Sequence, residues 1–187
     1  MRRPPGAPGR RVLAAAGLAA LLLLISGCAL LGGGKTPADV PDQITVTSPD
    51  FGQGLSGVSF SCRGSGRHPV IYWSGAPRAT RSFALVMDDS AAPITPYIYW
   101  IVFDIGRQTS DIPSGQLPPG ARQAGNSKGT VGYDPPCPSN RGHEYRFTVY
   151  ALNRKLKLQA RSSAKTAWTA IAASAIARGR LVAVIDP

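Results

Sequence analysis

Few side chains in this sequence are equipped for chemistry, and one of them has an unusual setting. His68 and His143 are the only two histidines, and His143 lies within GYDPPCPSNRGHEYRF, residues 132–147. Prolines fix φ and carry no N–H, so Pro135, Pro136 and Pro138 make a stiff loop whose carbonyls stay available to other partners. The imidazole that follows is either structural or the donor of a pocket, because His143, when protonated, offers two N–H groups to anionic oxygens. A metal centre is not expected, since no carboxylate or cysteine spacing supplies ligands beyond two separated histidines. Gly125-Asn126-Ser127-Lys128-Gly129 matches the G-x-S-x-G of a nucleophile elbow, which needs a buried strand before it and a helix after it. Its neighbours here are PPGARQA and TVGYDPPCP, so the spacing predicts a plain loop rather than a Ser127 hydrolase. His68, beside Pro69 in an Arg- and Gly-rich run, is expected to be exposed.

The elements that must position His143 are strands. Period-2 alternation predicts ITVTS (Ile44 to Ser48), LSGVSF (Leu55 to Phe60), PVIYW (Pro69 to Trp73), RSFALVMD (Arg81 to Asp88), YWIVFDI (Tyr99 to Ile105), YRFTVYAL (Tyr145 to Leu152) and RLVAVI (Arg180 to Ile185), each bounded by turn residues. Extended backbone puts His143, Tyr145, Phe147 and Val149 on one face. Phe83, Leu85, Met87 and Asp89 share a face of the earlier strand, ending in a carboxylate that is either a turn residue or the wall of a polar site. One helix is expected in SSAKTAWTAIAASAIARG, with Ser162 or Ser163 as cap, Trp168, Ile171, Ala172, Ala175 and Ile176 on the buried face, and Gly179 as the stop. The fold class is mainly β and antiparallel, in one domain.

The N-terminus carries a different signal. Arg2, Arg3, Arg10 and Arg11 precede an apolar or small run from Val12 to Ile25, too short and alanine-rich for a comfortable spanning helix of about 20 apolar residues. Ile25-Ser26-Gly27-Cys28 resembles the lipobox of bacterial lipoproteins, which implies a signal peptide at residues 1–27, a mature chain beginning at a Cys28 that carries acyl chains, and a cell-membrane location on the extracytoplasmic side. An ordinary secretory signal is the alternative, and Arg10-Arg11 matches the twin-arginine pattern only weakly. Residues 28–43, Gly- and Pro-rich, read as a flexible tether, and residues 44–187 as the domain. Removing the signal takes four of 21 basic residues and none of 10 acidic ones, which leaves a net charge of +7. Such a chain favours anionic lipid surfaces or small anions. Its basic residues are too scattered for a nucleic-acid surface, and the densest group, Arg154, Lys155, Lys157 and Arg161, reads as a solvated connection. Setting Cys28 aside leaves Cys62 and Cys137, which in an oxidising compartment either form a disulfide or remain two buried thiols.

Several separated stretches carry a wider resemblance. SCRGSG, YWSGAPRATRSFALVMDDSAAP, YWIVFDIG and LPPGARQAGNSKGTVGYDPPCPSNRGHEYRFTVYAL, in that order, resemble the phosphatidylethanolamine-binding protein family, specifically its bacterial Raf-kinase-inhibitor-like branch, across Ile44 to Pro187. The resemblance implies a large central antiparallel sheet with a smaller sheet and peripheral helices, one near the C-terminus, and a small anion pocket at one end.

The family's pocket motifs are D-P-D-A-P, an H-W pair, and a G-x-P-P loop leading to H-R-Y. Here they read Asp89-Ser90-Ala91-Ala92-Pro93, Tyr99-Trp100, and Pro135, Pro136 and Pro138 followed by His143, Glu144 and Tyr145. Ala91 replaces the second acid and Tyr99 replaces a histidine, so weaker or altered anion binding is expected. The implied ligand-binding set is Asp89, Pro93, Tyr99, Trp100, Pro136, Pro138, His143 and Tyr145, with no catalysis and no cofactor. His143 and the two tyrosine hydroxyls would donate to phosphate, carboxylate or a phospholipid headgroup, while Asp89 orients the histidine or accepts from an ammonium group. The competing expectation is a protein-interaction or inhibitor module meeting a protease or another cell-envelope partner.

Overall fold

Alternating large apolar side chains after Gly142 demand an extended chain with one face buried. In the computed structural model, which describes residues 1, 40–52, 57–89, 96–139, 141–159 and 161–187, that chain is a strand of ten residues. In order, the elements are β1 (Thr45–Thr47), β2 (Ile71–Ser74), β3 (Ser82–Asp89), β4 (Ile98–Gly106), β5 (Asp111–Ile112), β6 (Arg122–Gln123), β7 (His143–Leu152), α1 (Ala164–Ala172) and β8 (Ala175–Ile185). They form two sheets, a five-stranded one ordered β6-β4-β3-β7-β8 and a three-stranded one ordered β1-β2-β5, with every strand pairing antiparallel.

Burial of the large sheet on both faces explains its composition. One face, carrying Phe83, Leu85, Met87, Trp100, Val102, Phe147 and Val149, packs on Val46, Ile71 and Trp73 of the small sheet. The other, with Val86, Ile101, Phe103, Tyr150 and Leu152, packs on Leu156 and on Ala167 and Ile171 of α1. A strand covered on both sides loses its polar alternation, which is why β3 is apolar without a break from Phe83 to Met87. Trp168 adds an edge-on contact with Tyr150 at 5.9 Å between ring centroids. Among the described residues no helix is long and apolar enough to cross a membrane.

Three expectations are corrected. Val58–Phe60 is a 3-10 turn, not a strand, because Gly57 at φ +65° turns the chain and its carbonyl accepts the Phe60 N–H; Leu55 and Ser56 lie outside the described residues. The helix is capped by Ser163, whose hydroxyl accepts the Thr166 N–H at 3.2 Å, but it ends at Ala172. Ala175–Gly179 instead opens β8, where Ala177 pairs with Ala151 and Gly179 with Val149, so sheet pairing overrides the helical propensity of an alanine-rich run. Gly179 is therefore no helix stop. It is a close-approach site, where a Cβ would collide with the Ile44 carbonyl.

The Ile44 carbonyl lies so near because the end of the expected tether is docked. Val40 is buried, Arg178 donates its N–H to Pro41 O, and Arg178 O accepts from Gln43 and Ile44. The Arg178 guanidinium grips Asp42 at 2.7 Å. Residues 29–39 and Cys28 lie outside the described residues.

Candidate functional site

Antiparallel pairing of β3 with β7 determines which side chains meet at the end of the large sheet. Asp89, the last residue of β3, is opposite Tyr145, so His143 lies one face-sharing position further along. His143 Nδ1 is 3.9 Å from Asp89 Oδ2, an ion-pair distance too long for a direct hydrogen bond. The carboxylate is 15% exposed and the imidazole 37%, so the pair stands at the rim of the apolar face rather than inside it.

Tyr99 joins them through an irregularity in β4. Met87 pairs with Trp100 but Asp88 pairs with Ile98, which leaves Tyr99 as an extra residue, and such a bulge re-aims a side chain. Its ring meets Tyr145 edge-on at 5.3 Å and Tyr97 at 4.6 Å. Tyr99 and Tyr145 are therefore direct neighbours at this end of the sheet. Burial, reinforced by the Asp89 carboxylate, raises both phenols above their ordinary range, so both remain protonated donors.

The proline loop closes this end of the molecule. Asp134 N–H donates to Tyr99 O at 3.0 Å, tying the loop to the bulge, and Tyr133 Oη donates to Phe60 O at 2.7 Å. Cys62 N–H donates to Pro136 O at 3.0 Å, and Cys62 and Cys137 form a disulfide with Cα atoms 5.3 Å apart. Pro136 and Pro138 are buried. The stiffness expected from prolines is thus supplemented by cross-links to the segment around the 3-10 turn.

The remaining expected residues are placed differently. Trp100 has no exposed surface; its indole donates to Gln123 Oε1 at 2.6 Å and stacks on His68 at 4.2 Å, so it backs the site without reaching it. His68, expected to be exposed, is buried at 7% exposure against Trp100 and Tyr133, because the aromatic cluster offers it a stacking surface. Burial lowers its affinity for a proton. Pro93, with Ser90 to Ala92, lies outside the described residues. Ser127 sits in a tight loop, where its hydroxyl accepts the Ile98 N–H at 2.9 Å; the strand before it is only the two half-buried residues of β6, and no helix directly follows it, so an elbow's geometry is not met.

Tyr97, Asp134 and Lys128 escaped the sequence reading. Tyr97 Oη donates to Asp134 Oδ2 at 2.8 Å, and Lys128 Nζ lies 3.5 Å from Asp134 Oδ1. Burial, followed by that bond to Asp134, pushes the Tyr97 phenol up to about 12. The only sequence signal was Asp134 between Tyr133 and the prolines. Among the described residues no group of three or more His, Cys, Asp or Glu side chains could hold a metal ion.

This fold has counterparts in known proteins. Residues 46–186 match the phosphatidylethanolamine-binding protein family, and the chain belongs to it. "Putative lipoprotein LppC" of Mycobacterium tuberculosis is 35% identical over 196 residues, covering 95% of this chain and 96% of the relative. A UPF0098 protein of Methanothermobacter thermautotrophicus is 32% identical over 128 residues, 66% of this chain and 85% of its own. The crystal structure of Escherichia coli YbcL, described as a new member of the mammalian PEBP family, superposes with a TM-score of 0.70 at 29% identity, covering 78% of this chain and 99% of that one.

Proposed function

We propose that this chain is a lipid-anchored, extracytoplasmic binding protein that takes a small anion, a phosphate, carboxylate or phospholipid headgroup, at the cluster of Asp89, Tyr99, His143 and Tyr145, without catalysis. The observation that carries this reading is the approach of His143 Nδ1 to Asp89 Oδ2 at 3.9 Å beside two protonated phenols. In that arrangement an imidazole N–H and the hydroxyls can donate to the anion. Each charge-assisted bond would contribute about 1.5 to 3 kcal/mol, enough for modest affinity. The cross-linked proline loop supports the reading, because a wall ordered beforehand lowers the cost of binding. Pro136 and Pro138 belong to that wall, Trp100 backs it, and Pro93 is assigned to the site on the strength of the family motif alone.

The anchor is assigned to Cys28 on the sequence Ile25-Ser26-Gly27-Cys28 and on the name of the mycobacterial relative, whose similarity runs over 95% of this chain. Several acyl chains on one residue hold a protein to a bilayer durably. Calorimetric titration with phosphate, acetate and phosphoethanolamine, wild type against His143→Ala, tests the pocket. Heats that are the same in both proteins would remove it.

A further inference from the structure

We propose that the end of the large sheet opposite Asp89 and His143 is a membrane-facing surface, which docks on an anionic phospholipid bilayer and turns the binding end away from it. This orientation rests on the anchored reading of Cys28 and is independent of the pocket. Ser82 pairs with Gly106 and Leu152, and Leu152 with Ala175, so these residues form the last row of the sheet at that end. Arg81 and Arg107 adjoin the row, and the segment leaving β7 adds Arg154, Lys155 and Lys157, all five exposed. The connection is solvated, as expected, but it is also fastened. Ser82 Oγ donates to Arg154 O at 2.6 Å, Arg154 Nε to Ser174 Oγ at 2.9 Å, and Leu156 N–H to Asp104 Oδ1 at 2.7 Å, so its charges are held at fixed places on the sheet end.

The charge at this end is one-sided. Among the described residues none of the five cations pairs with a carboxylate, and the acid nearest the row, Asp104, is buried and lies 3.7 Å from Arg122. Asp88, Asp89, Asp134, Glu144 and Asp186 lie at the other end, where they offset Lys128 and Arg146. A groove of about 470 Å³ lined by Arg154, Lys155, Leu156, Lys157, Leu158 and Ala170 adds aliphatic surface between the cations. Ammonium and guanidinium groups beside aliphatic side chains suit the headgroup layer, where the charges meet phosphates and the apolar stems lie against lipid.

The leading segment arrives at the same end. Asp42 bridges Arg178 in the parallel sense and β8 begins at Ala175, so the chain read backwards from Asp42 heads for the basic row. Val40 is buried and Pro41 O accepts the Arg178 N–H, which fastens that exit. Twelve residue steps separate Val40 from Cys28 and span at most about 40 Å, against about 33 Å for the ten residues of β7. Setting the binding end on the bilayer would need those steps drawn nearly taut along the whole sheet. The basic end meets the bilayer at any extension. Asp89, Tyr99, His143 and Tyr145 then face the aqueous side and take their anion from solution, not from the leaflet that holds the anchor.

The full-length chain, as its host processes it, is reconstituted on phosphatidylcholine vesicles with and without an equal part of phosphatidylglycerol, and lysine acetylation is read residue by residue by mass spectrometry. Lys155 and Lys157 should react about threefold or more slowly on the anionic vesicles, while Lys128, at the binding end, reacts equally on both. Arg81→Gln with Arg107→Gln, exposed changes that keep both lysines as reporters, should weaken the protection. Sodium chloride at about 1 M, where screening acts within about 3 Å, should remove it. Equal labelling of Lys155 and Lys157 on the two vesicles, protection of Lys128 in their place, or the same protection from dissolved sodium phosphate without vesicles would overturn the proposal. A chain that shows the expected protection but is washed off both vesicles by alkaline carbonate would refute the Cys28 anchor and leave the basic surface standing by itself.

Discussion

Arg146 holds Asp88 through two parallel bonds, Nε to Oδ1 at 2.8 Å and Nη2 to Oδ2 at 2.7 Å, on the face of the sheet opposite Asp89 and Tyr145. The guanidinium also reaches the Asp89 carbonyl at 3.5 Å. A bidentate pair across the β3–β7 ladder thus pins the two strands next to where Asp89 faces Tyr145.

Arg146→Gln should destabilise the domain by about 2 to 3 kcal/mol, because Asp88, only 8% exposed, loses its compensating charge. Urea unfolding measures this. Adding Asp88→Asn should recover part of the loss, since the double variant leaves no buried charge unpaired, and purely additive effects would refute the coupling.

Reduction of the Cys62–Cys137 bond, or Cys62→Ser with Cys137→Ser, should cost about 4 kcal/mol on the chain-entropy model for a separation of 75 residues. Denaturant midpoints with and without reductant are the check. Amide exchange should quicken from Tyr133 to Ser139 and around Ser61, because the loop then loses its covalent tie to that segment and keeps only its hydrogen bonds.

How much of this was legible beforehand depends on the range of the forces involved. β3, β4 and β7 announced themselves because strands covered on both faces must be hydrophobic throughout. The boundary between α1 and β8 did not. Ala175 to Gly179 has the local chemistry of a helix, and only its distant partners Val149 to Leu152 and the crossing Ile44 carbonyl make it a strand. Asp89 and His143 could be paired through the order of motifs, whereas Tyr97 and Asp134 meet through a one-residue bulge and a loop, neither of which has a periodic signature. His68 was misplaced because a polar, Gly-rich neighbourhood says nothing of the Trp100 ring beneath it.

Burial of His68 makes stability depend on acidity in a defined direction. Its folded-state proton affinity is lowered by desolvation, so below the ordinary imidazole value of about 6.5 the unfolded chain binds more protons than the folded one. The contribution is complete above that pH and is lost as pH falls towards the folded value. Unfolding midpoints should therefore drop as pH falls below about 6.5, and His68→Gln should flatten that slope. A wild-type curve already flat there would contradict the assignment.

Gly179→Ala should cost about 1 to 3 kcal/mol, because the new methyl group meets the Ile44 carbonyl and pushes the crossing segment off β8. Hydrogen exchange at Gln43 and Ile44, whose N–H groups both bond to Arg178 O, should accelerate well before the core strands respond. Unchanged protection at those two amides would show that the segment holds without close contact.

The seam between residues 41–44 and Arg178 also has a mechanical meaning. A pull applied to the chain ahead of residue 40 arrives first at the Asp42–Arg178 ion pair and the three backbone bonds beside it. Asp42 bridges Arg178 in the parallel sense at the edge of the large sheet. The seam takes the load before β1 does, so a tug on the leading segment is spent there while the end of the sheet that carries Asp89 and Tyr145, further along β7, keeps its shape.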